Sequence, residues 1–159
     1  MNFVNILDDD IVDSDDGVCT SLWFGGCDIR CPGCHNEALW NWDNQVDNQK
    51  VLVAVVNSLL KGPTKKSLSI LGGEPLSKAN RADCLYIVKH IRESLPKTVI
   101  RLWTGHVYED LLKENDPIIN EIFENIDFLI DGPFKKDETV VGSLKLRGSL
   151  NQRIIPLKH

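Results

Sequence analysis

Short apolar segments alternate along the chain with segments of helical periodicity, and this alternation limits the folds that the sequence can adopt. The candidate strands span residues 3–7, 18–24, 68–71, 99–103 and 128–130, with a further one at 153–157. The candidate helices span residues 50–61, 81–94 and 107–125, and Pro117 is expected to break the last of them. Strand, helix and strand in succession predict parallel pairing through right-handed crossovers.

The length of the chain restricts this arrangement further. A closed barrel of eight strand–helix units usually needs about 250 residues, whereas this chain has 159. We therefore expect one α/β domain over residues 1–159, built as an open, partial (β/α) barrel of about five or six mostly parallel strands. Ligands of such sheets bind at the carboxyl ends of the strands, so the segments that directly follow strands are the candidate site.

The amino-terminal segment carries most of the net charge. Its first 16 residues contain six aspartates and no lysine or arginine, so the remaining 143 residues sum to +1 within a net charge of −5. A nearly neutral body is not typical of a nucleic-acid-binding protein. The acidic segment does not resemble a signal peptide, and no apolar stretch approaches the roughly 18 residues of a membrane span, so we expect a cytoplasmic protein.

Three of the five cysteines lie together in a loop that follows the second candidate strand. Cys27, Cys31 and Cys34 have the spacing C-x3-C-x2-C. The segment from Cys31 to His35 also matches the C-x-x-C-H signature of covalent haem attachment, which the expected cytoplasmic location disfavours. Three thiolates on one loop can bind a four-iron cluster and leave one iron without a protein ligand. A structural zinc ion is the alternative, and it would require a fourth ligand.

The other two cysteines have patterns typical of packed residues. Cys84 shares one helical stripe with four aliphatic residues, which are Ile87, Val88, Ile91 and Leu95. Cys19 alternates within a strand pattern. We therefore expect both side chains to be buried rather than to bind metal.

A second motif, Gly72-Gly73-Glu74-Pro75, follows the third candidate strand. Taken alone it is weak, because glycine and proline are common at strand ends. Its position is more informative, since two glycines at the carboxyl end of a strand allow backbone carbonyl groups to approach a ligand closely. Such carbonyl groups can accept hydrogen bonds from an ammonium group.

The cysteine loop, followed one strand later by Gly-Gly-Glu-Pro, resembles the radical S-adenosylmethionine superfamily. The resemblance implies a [4Fe-4S] cluster, whose open iron is chelated by S-adenosylmethionine. The implied cluster ligands are Cys27, Cys31 and Cys34, and the implied contacts of the methionine amino group are Gly72, Gly73 and Glu74. In this family the reduced cluster cleaves the cofactor to a radical that abstracts hydrogen, so no catalytic side chain beyond the cluster is expected.

Further segments resemble the glycyl-radical-enzyme activases, above all the short ones that serve anaerobic (class III) ribonucleoside-triphosphate reductases. These segments are Cys34-His35-Asn36 with Trp40, Trp103-Thr104-Gly105, and residues 129–134 and 147–154. The resemblance implies that the protein generates a glycyl radical on such a reductase, with a flavodoxin or a similar one-electron donor. It also implies four more residues of the cofactor pocket: His35, Asn36, Thr104 and Asp131.

Two positions depart from the pattern of the family. Many members have an aromatic residue just before the last cluster cysteine, where this chain has Gly33, so the adenine must be held by another group. A tyrosine is usual after the Thr-Gly of the subfamily, and here the residue is His106. Three alternatives remain: an activase of another glycyl radical enzyme, a radical enzyme acting on a small molecule, and a zinc-binding interaction module.

Overall fold

The computed structural model describes residues 1–140 and 144–157, in which six strands form one sheet. The strands are β1 (Phe3–Asp10), β2 (Cys19–Phe24), β3 (Ser67–Gly72), β4 (Ile100–Trp103), β5 (Phe128–Asp131) and β6 (Arg153–Pro156). The described helices are α1 (Asn48–Leu60), α2 (Arg81–Ser94), α3 (Tyr108–Lys113) and α4 (Pro117–Asn125). Short 3-10 turns occur at Glu37–Leu39 and Lys136–Glu138. No helix within these ranges has the length and apolar character that crossing a bilayer would require.

The strands pair in sequence order, from β1 at one edge to β6 at the other. The four central strands are parallel, whereas β1 and β6 pair antiparallel to their neighbours. Parallel pairing needs a crossover of about a dozen residues or more, and the short connection between β1 and β2 is suited only to an antiparallel pair. The predicted open, mostly parallel α/β sheet is therefore confirmed, with antiparallel edges that the sequence pattern did not indicate.

One face of the sheet forms the core with the helices. Leu22, Ile70, Leu102 and Leu129 lie side by side in register across the four parallel strands, and all are fully buried. Apolar residues of the helices cover them, among them Val55, Ile87, Ile91, Ile119 and Ile122. Cys19 and Cys84 are both fully buried, which confirms their predicted packing role.

The interrupted helix has a defined cause. The Asp116 carboxylate accepts a hydrogen bond from the Ile118 N–H at 2.9 Å, and Pro117 occupies the first turn, so a new helix begins there. Arg81, at the start of α2, pairs with Glu114 and Asp116 at 2.7 Å and donates to the Leu76 carbonyl. This buried arginine fixes the loop that follows β3 against the α3–α4 turn.

The acidic amino-terminal segment packs against the other face of the sheet. Arg101 of β4 is almost fully buried there, and it pairs with Asp15 at 2.6 Å and Asp16 at 3.0 Å. The Ser69 hydroxyl donates to the Asp13 carbonyl at 2.6 Å. The aspartates thus compensate a buried guanidinium, which would otherwise be very costly to remove from water.

Two carboxyl groups of this segment, Asp10 and Asp13, lie beside each other. Burial, together with the hydrogen bond and the charge of Asp10, raises the pKa of Asp13 to about 7. Burial also raises the pKa of Asp10, but hydrogen bonds from Asp13 and from the Val12 N–H outweigh it, and the net shift is downward. The pair therefore retains a proton well above the pH at which an exposed carboxyl group loses it.

We predict that Asp13→Asn reduces the loss of stability between pH 5 and pH 8. The folded protein binds a proton at Asp13 that the unfolded chain releases near pH 4, so the free energy of unfolding falls as the pH rises towards 7 and above. Asparagine resembles the protonated carboxyl group but cannot release a proton, so this contribution to the pH dependence of the free energy of unfolding is lost. Urea unfolding at pH 5, 6.5 and 8 measures the effect, with the exposed Asp43→Asn as the control. Equal pH dependence in wild type and Asp13→Asn would contradict the assignment.

Candidate functional site

The cysteine loop and the Gly-Gly-Glu-Pro loop lie against each other at the carboxyl ends of β2 and β3. The Glu74 N–H donates to the Gly26 carbonyl at 2.7 Å, and the Gly73 N–H donates to the Phe24 carbonyl at 2.8 Å. The Asn80 side-chain amide bridges the two loops, because it donates to the Gly25 carbonyl at 2.9 Å and to the Glu74 carbonyl at 3.0 Å. Two segments nearly 50 residues apart thus form one backbone unit.

The glycines of the second loop are needed for this contact. A Cβ atom on Gly73 would lie 2.2 Å from the Gly26 carbonyl oxygen. A Cβ atom on Gly72, whose φ is +115°, would lie 2.4 Å from the Phe24 carbonyl oxygen. Close approach of two backbones therefore explains both glycines. No donor within residues 1–140 or 144–157 bonds the Gly73 carbonyl oxygen, so this oxygen is available to a ligand.

The cysteine loop turns sharply between its ligand candidates. Arg30 and Gly33 have φ values of 53° and 74°, and the Cys34 N–H donates to the Cys31 carbonyl at 3.1 Å. The three cysteines are neither core residues nor fully exposed. All three cysteines lie beyond the carboxyl end of β2 and are partly exposed, so an external group can reach them.

Backbone N–H groups face each of the three thiols. The Asn36 N–H donates to the Cys34 sulfur at 3.3 Å. Burial raises the pKa of Cys27, and hydrogen bonds from the Arg30 and Ile29 backbone oppose this shift. Burial likewise raises the pKa of Cys31, against a hydrogen bond from the Phe134 backbone. Hydrogen bonds of this kind to ligand sulfur tune the potential of iron–sulfur clusters.

The described part of the chain contains no group of three or more His, Cys, Asp or Glu side chains arranged to hold a metal ion. The three cysteines share a loop without forming a closed set of ligands. Cys19 and Cys84, which could complete a zinc site, are fully buried elsewhere, at the opposite end of β2 and inside α2. The donor set of three half-buried thiols with N–H groups on the sulfurs fits a cluster with one open iron better than a four-ligand zinc site.

Glu74 is buried and links the loop after β3 to the loop after β4. The Thr104 hydroxyl donates to Oε1 at 2.6 Å, and the Gly105 N–H donates to Oε2 at 2.7 Å. Burial raises the pKa of Glu74 above its usual range, although the charge of His106 and these hydrogen bonds reduce the shift. Thr104, an expected pocket residue, is thus brought to the site through Glu74.

His35 and Asn36 connect the cysteine loop to two different neighbours. The Asn36 side-chain amide donates to the Gly72 carbonyl at 3.2 Å. The His35 ring lies 5.0 Å from the Phe134 ring, centroid to centroid. His106, the second unusual position, points its Nε2 at the Asp28 carboxylate at 3.5 Å, so it also contacts the cysteine loop.

Asp131 lies at the end of β5, and its carboxylate is occupied by internal donors. It accepts hydrogen bonds from the Tyr108 N–H at 2.8 Å and from Arg153 Nε at 3.0 Å. Arg153 also pairs with Glu109 at 2.7 Å. Asp131 therefore anchors α3 and β6, and no observed contact joins it to the thiols.

The sequence analysis missed Asn80 and Phe134. An asparagine before a helix predicts a cap, but the Asn80 side chain makes no capping hydrogen bond and bridges the two loops instead. Phe134 was noted only as part of a matched segment. Because both act through contacts distant in sequence, no local pattern indicates their roles.

Comparison with known proteins gives one consistent family. The 4Fe-4S single cluster domain matches residues 14–155. The chain is also similar to the anaerobic ribonucleoside-triphosphate reductase-activating protein of Pasteurella multocida, at 33% identity over 97% of this chain and 96% of the relative. The proteins of the same name from Escherichia coli K12 and Enterobacteria phage T4 are 32% and 31% identical, over 99% and 97% of this chain and 100% and 93% of the relatives. No solved structure matches the chain.

We predict that Gly73→Ala impairs assembly of an iron–sulfur cluster. The added Cβ would be within 2.2 Å of the Gly26 oxygen, so the cysteine loop must move away from β3. Iron and sulfide content after anaerobic reconstitution should fall several-fold. Gly62→Ala is the control, because a Cβ there meets no atom within 4 Å and the strain from its φ of +76° falls on the turn after α1 rather than on the cysteine loop. Wild-type iron content in Gly73→Ala would contradict the role of this contact.

Proposed function

Because the chain belongs to the 4Fe-4S single cluster domain family, among the anaerobic ribonucleoside-triphosphate reductase-activating proteins, we propose that it activates such a reductase by generating a glycyl radical on it. One observation carries the proposal beyond the family: the contact of the three-cysteine loop with Gly-Gly-Glu-Pro, through Glu74 and Gly26. This contact supports the proposal because it brings the three cysteines and the Gly73 carbonyl together at the carboxyl ends of the strands.

The cofactors of the proposed reaction are a [4Fe-4S] cluster and S-adenosylmethionine. When bound, they supply a one-electron cleavage that yields a radical able to remove hydrogen from a glycine Cα. Cys27, Cys31 and Cys34 would hold the cluster, and the Gly73 carbonyl would accept from the methionine ammonium group. The open sheet, in this proposal a partial barrel of the radical S-adenosylmethionine type, leaves the site accessible to a protein segment.

The other expected pocket residues act at different distances from the ligand. His35 lies on the exposed side of the cysteine loop and can contact the cofactor directly. The Asn36 amide joins the cysteine loop to β3 with one of its two N–H groups, which leaves the other available to the cofactor. Thr104 and Asp131 are buried and bonded to Glu74 and Arg153, so they position the loops around the cofactor.

The reductase is the proposed partner and also the lid of the site. The sheet remains open between β1 and β6, and an open site cannot by itself exclude water from a radical. A flavodoxin or a similar protein is the proposed electron donor. The cytoplasmic location and the single domain over residues 1–159 stay predictions.

The test is to mix the reduced, reconstituted protein with S-adenosylmethionine and an anaerobic reductase, and to record electron paramagnetic resonance. We expect a glycyl radical on the reductase with wild type and with Cys84→Ala, whose thiol is buried in the core. Cys31→Ala should lose the cluster and the radical together. A reductase that is activated by its own activator but gives no radical with this protein would refute the proposal.

Basic residues beside the cysteine loop are proposed to guide docking. The Lys136 side chain packs against Gly33, and Lys135 is exposed next to it. Of the other basic residues towards the carboxyl terminus, Lys145 and Arg147 are candidates, while Lys158 lies outside the described residues. Exposed charges at the rim of an interface mainly accelerate association and make it sensitive to salt.

We predict that the double variant Lys135→Glu, Lys136→Glu slows complex formation with the reductase, most strongly at low salt, while iron content stays normal. The matched control is Lys65→Glu, Lys97→Glu, which makes the same charge change before β3 and β4, at the amino ends of the strands. Association rates over a salt series by surface plasmon resonance compare the two. Equal rates for both double variants would place the docking surface elsewhere.

A further inference from the structure

Gly33 leaves the cysteine loop without the aromatic side chain that would otherwise stand before the last ligand. The structure shows what occupies this space. A Cβ atom at residue 33 would lie 3.2 Å from Lys136 Cδ, so the aliphatic part of a lysine covers the glycine. A flat apolar surface for a nucleobase must therefore come from another element.

Phe134 follows β5, and its aromatic ring reaches the cysteine loop at the carboxyl ends of the strands. Its ring lies 5.0 Å from the His35 ring, centroid to centroid, with a tilt of 48°, and its backbone is near enough to Cys31 to oppose the rise of the pKa of that thiol. The side chain is only half buried. The ring thus combines a contact with His35, the neighbour of the last cysteine of the loop, and an accessible surface, which is unusual for a residue that serves the core alone.

The backbone on both sides of Phe134 is held by hydrogen bonds from residues 149–152. The Asn151 amide donates to the Pro133 carbonyl at 2.7 Å, and the Gln152 amide donates to the Gly132 carbonyl at 2.9 Å. The Lys135 N–H donates to the Ser149 hydroxyl at 3.1 Å. This network fixes the position of the ring before any ligand arrives, which lowers the entropy cost of binding.

Gly148 completes the support. A Cβ atom at residue 148 would lie 3.0 Å from Phe134 Cδ2, so a larger residue would press on the ring. The Gly148 N–H donates to Gln152 Oε1 at 2.7 Å, which ties the same glycine into the network. Residues 148–152 therefore support the ring and the backbone around Phe134.

Resting on the proposed function, we propose that Phe134, with His35 beside it, forms the surface on which the adenine of S-adenosylmethionine stacks. The adjacent residues His35 and Asn36 define the two ends of the site. Asn36 bonds the carbonyl of Gly72, the residue before Gly73, whose own carbonyl suits the methionine ammonium group, and His35 contacts Phe134. An amino acid joined to a nucleoside can span these two ends, and base stacking on aromatic rings does not need the missing side chain at Gly33.

The experiment compares ligands that contain and lack the nucleoside, using Phe134→Leu, which keeps an apolar side chain but removes the ring. The probes are S-adenosylmethionine, 5′-deoxyadenosine and S-methylmethionine, titrated by calorimetry into the reconstituted protein without the reductase. Phe134→Leu should weaken the binding of S-adenosylmethionine and of 5′-deoxyadenosine roughly 10- to 100-fold, as expected for one lost stacking contact. It should leave S-methylmethionine affinity and iron content unchanged. Phe134→Tyr should bind all three like wild type.

The outcomes separate this inference from the proposed function. If wild type does not bind S-adenosylmethionine, the proposed function fails, and the inference fails with it. If wild type binds it and Phe134→Leu binds 5′-deoxyadenosine equally well, only the stacking surface is refuted. Loss of iron, or equal loss of all three ligands, in Phe134→Leu would also overturn the inference, because the ring would then support the loop. Lys136→Ala, which alters the neighbouring side chain without removing a ring, is the control and should retain nucleoside affinity.

Discussion

The hydrogen bond from the Glu74 N–H to the Gly26 carbonyl is the contact on which the rest of the site depends. It forms only because Gly73 has no side chain to keep the two backbones apart. From the same residue, the Glu74 carboxylate holds the loop after β4 through Thr104 and Gly105. Glu74 thus connects the loops that follow β2, β3 and β4, and this connection fixes the position of the cysteine loop.

Two ion pairs, one on each face of the sheet, show how the fold tolerates polar groups away from water. Arg101 is paired with aspartates of the amino-terminal segment, and Asp131 with Arg153 and a helix N–H. Removing either partner of such a pair would leave an uncompensated buried charge. One pair holds the amino-terminal segment against the sheet, and the other joins α3 and β6 to the end of β5.

The proposed reaction makes modest demands on the protein, and the structure is consistent with them. The radical chemistry belongs to the cofactors, so the chain contributes ligands, orientation and access. Burial raises the pKa of Cys27 and Cys31, and metal binding must therefore displace protons from both thiols. The N–H groups around the sulfurs compensate part of this cost, and the open edges of the sheet leave the exclusion of water to a partner.

Local patterns in the sequence determined the elements and indicated the proposed cluster ligands. Apolar periodicity located the strands and helices, Pro117 located the break before α4, and the spacing of Cys27, Cys31 and Cys34 indicated the cluster. These features depend on interactions between near neighbours, which a single sequence displays. The tertiary structure alone decided the antiparallel edges, the partners of Glu74 and Arg101, and the approach of Phe134 to the cysteine loop. Those contacts join residues from about 10 to about 100 positions apart, and such pairings leave no periodic signal, since they arise only when the chain folds into the sheet.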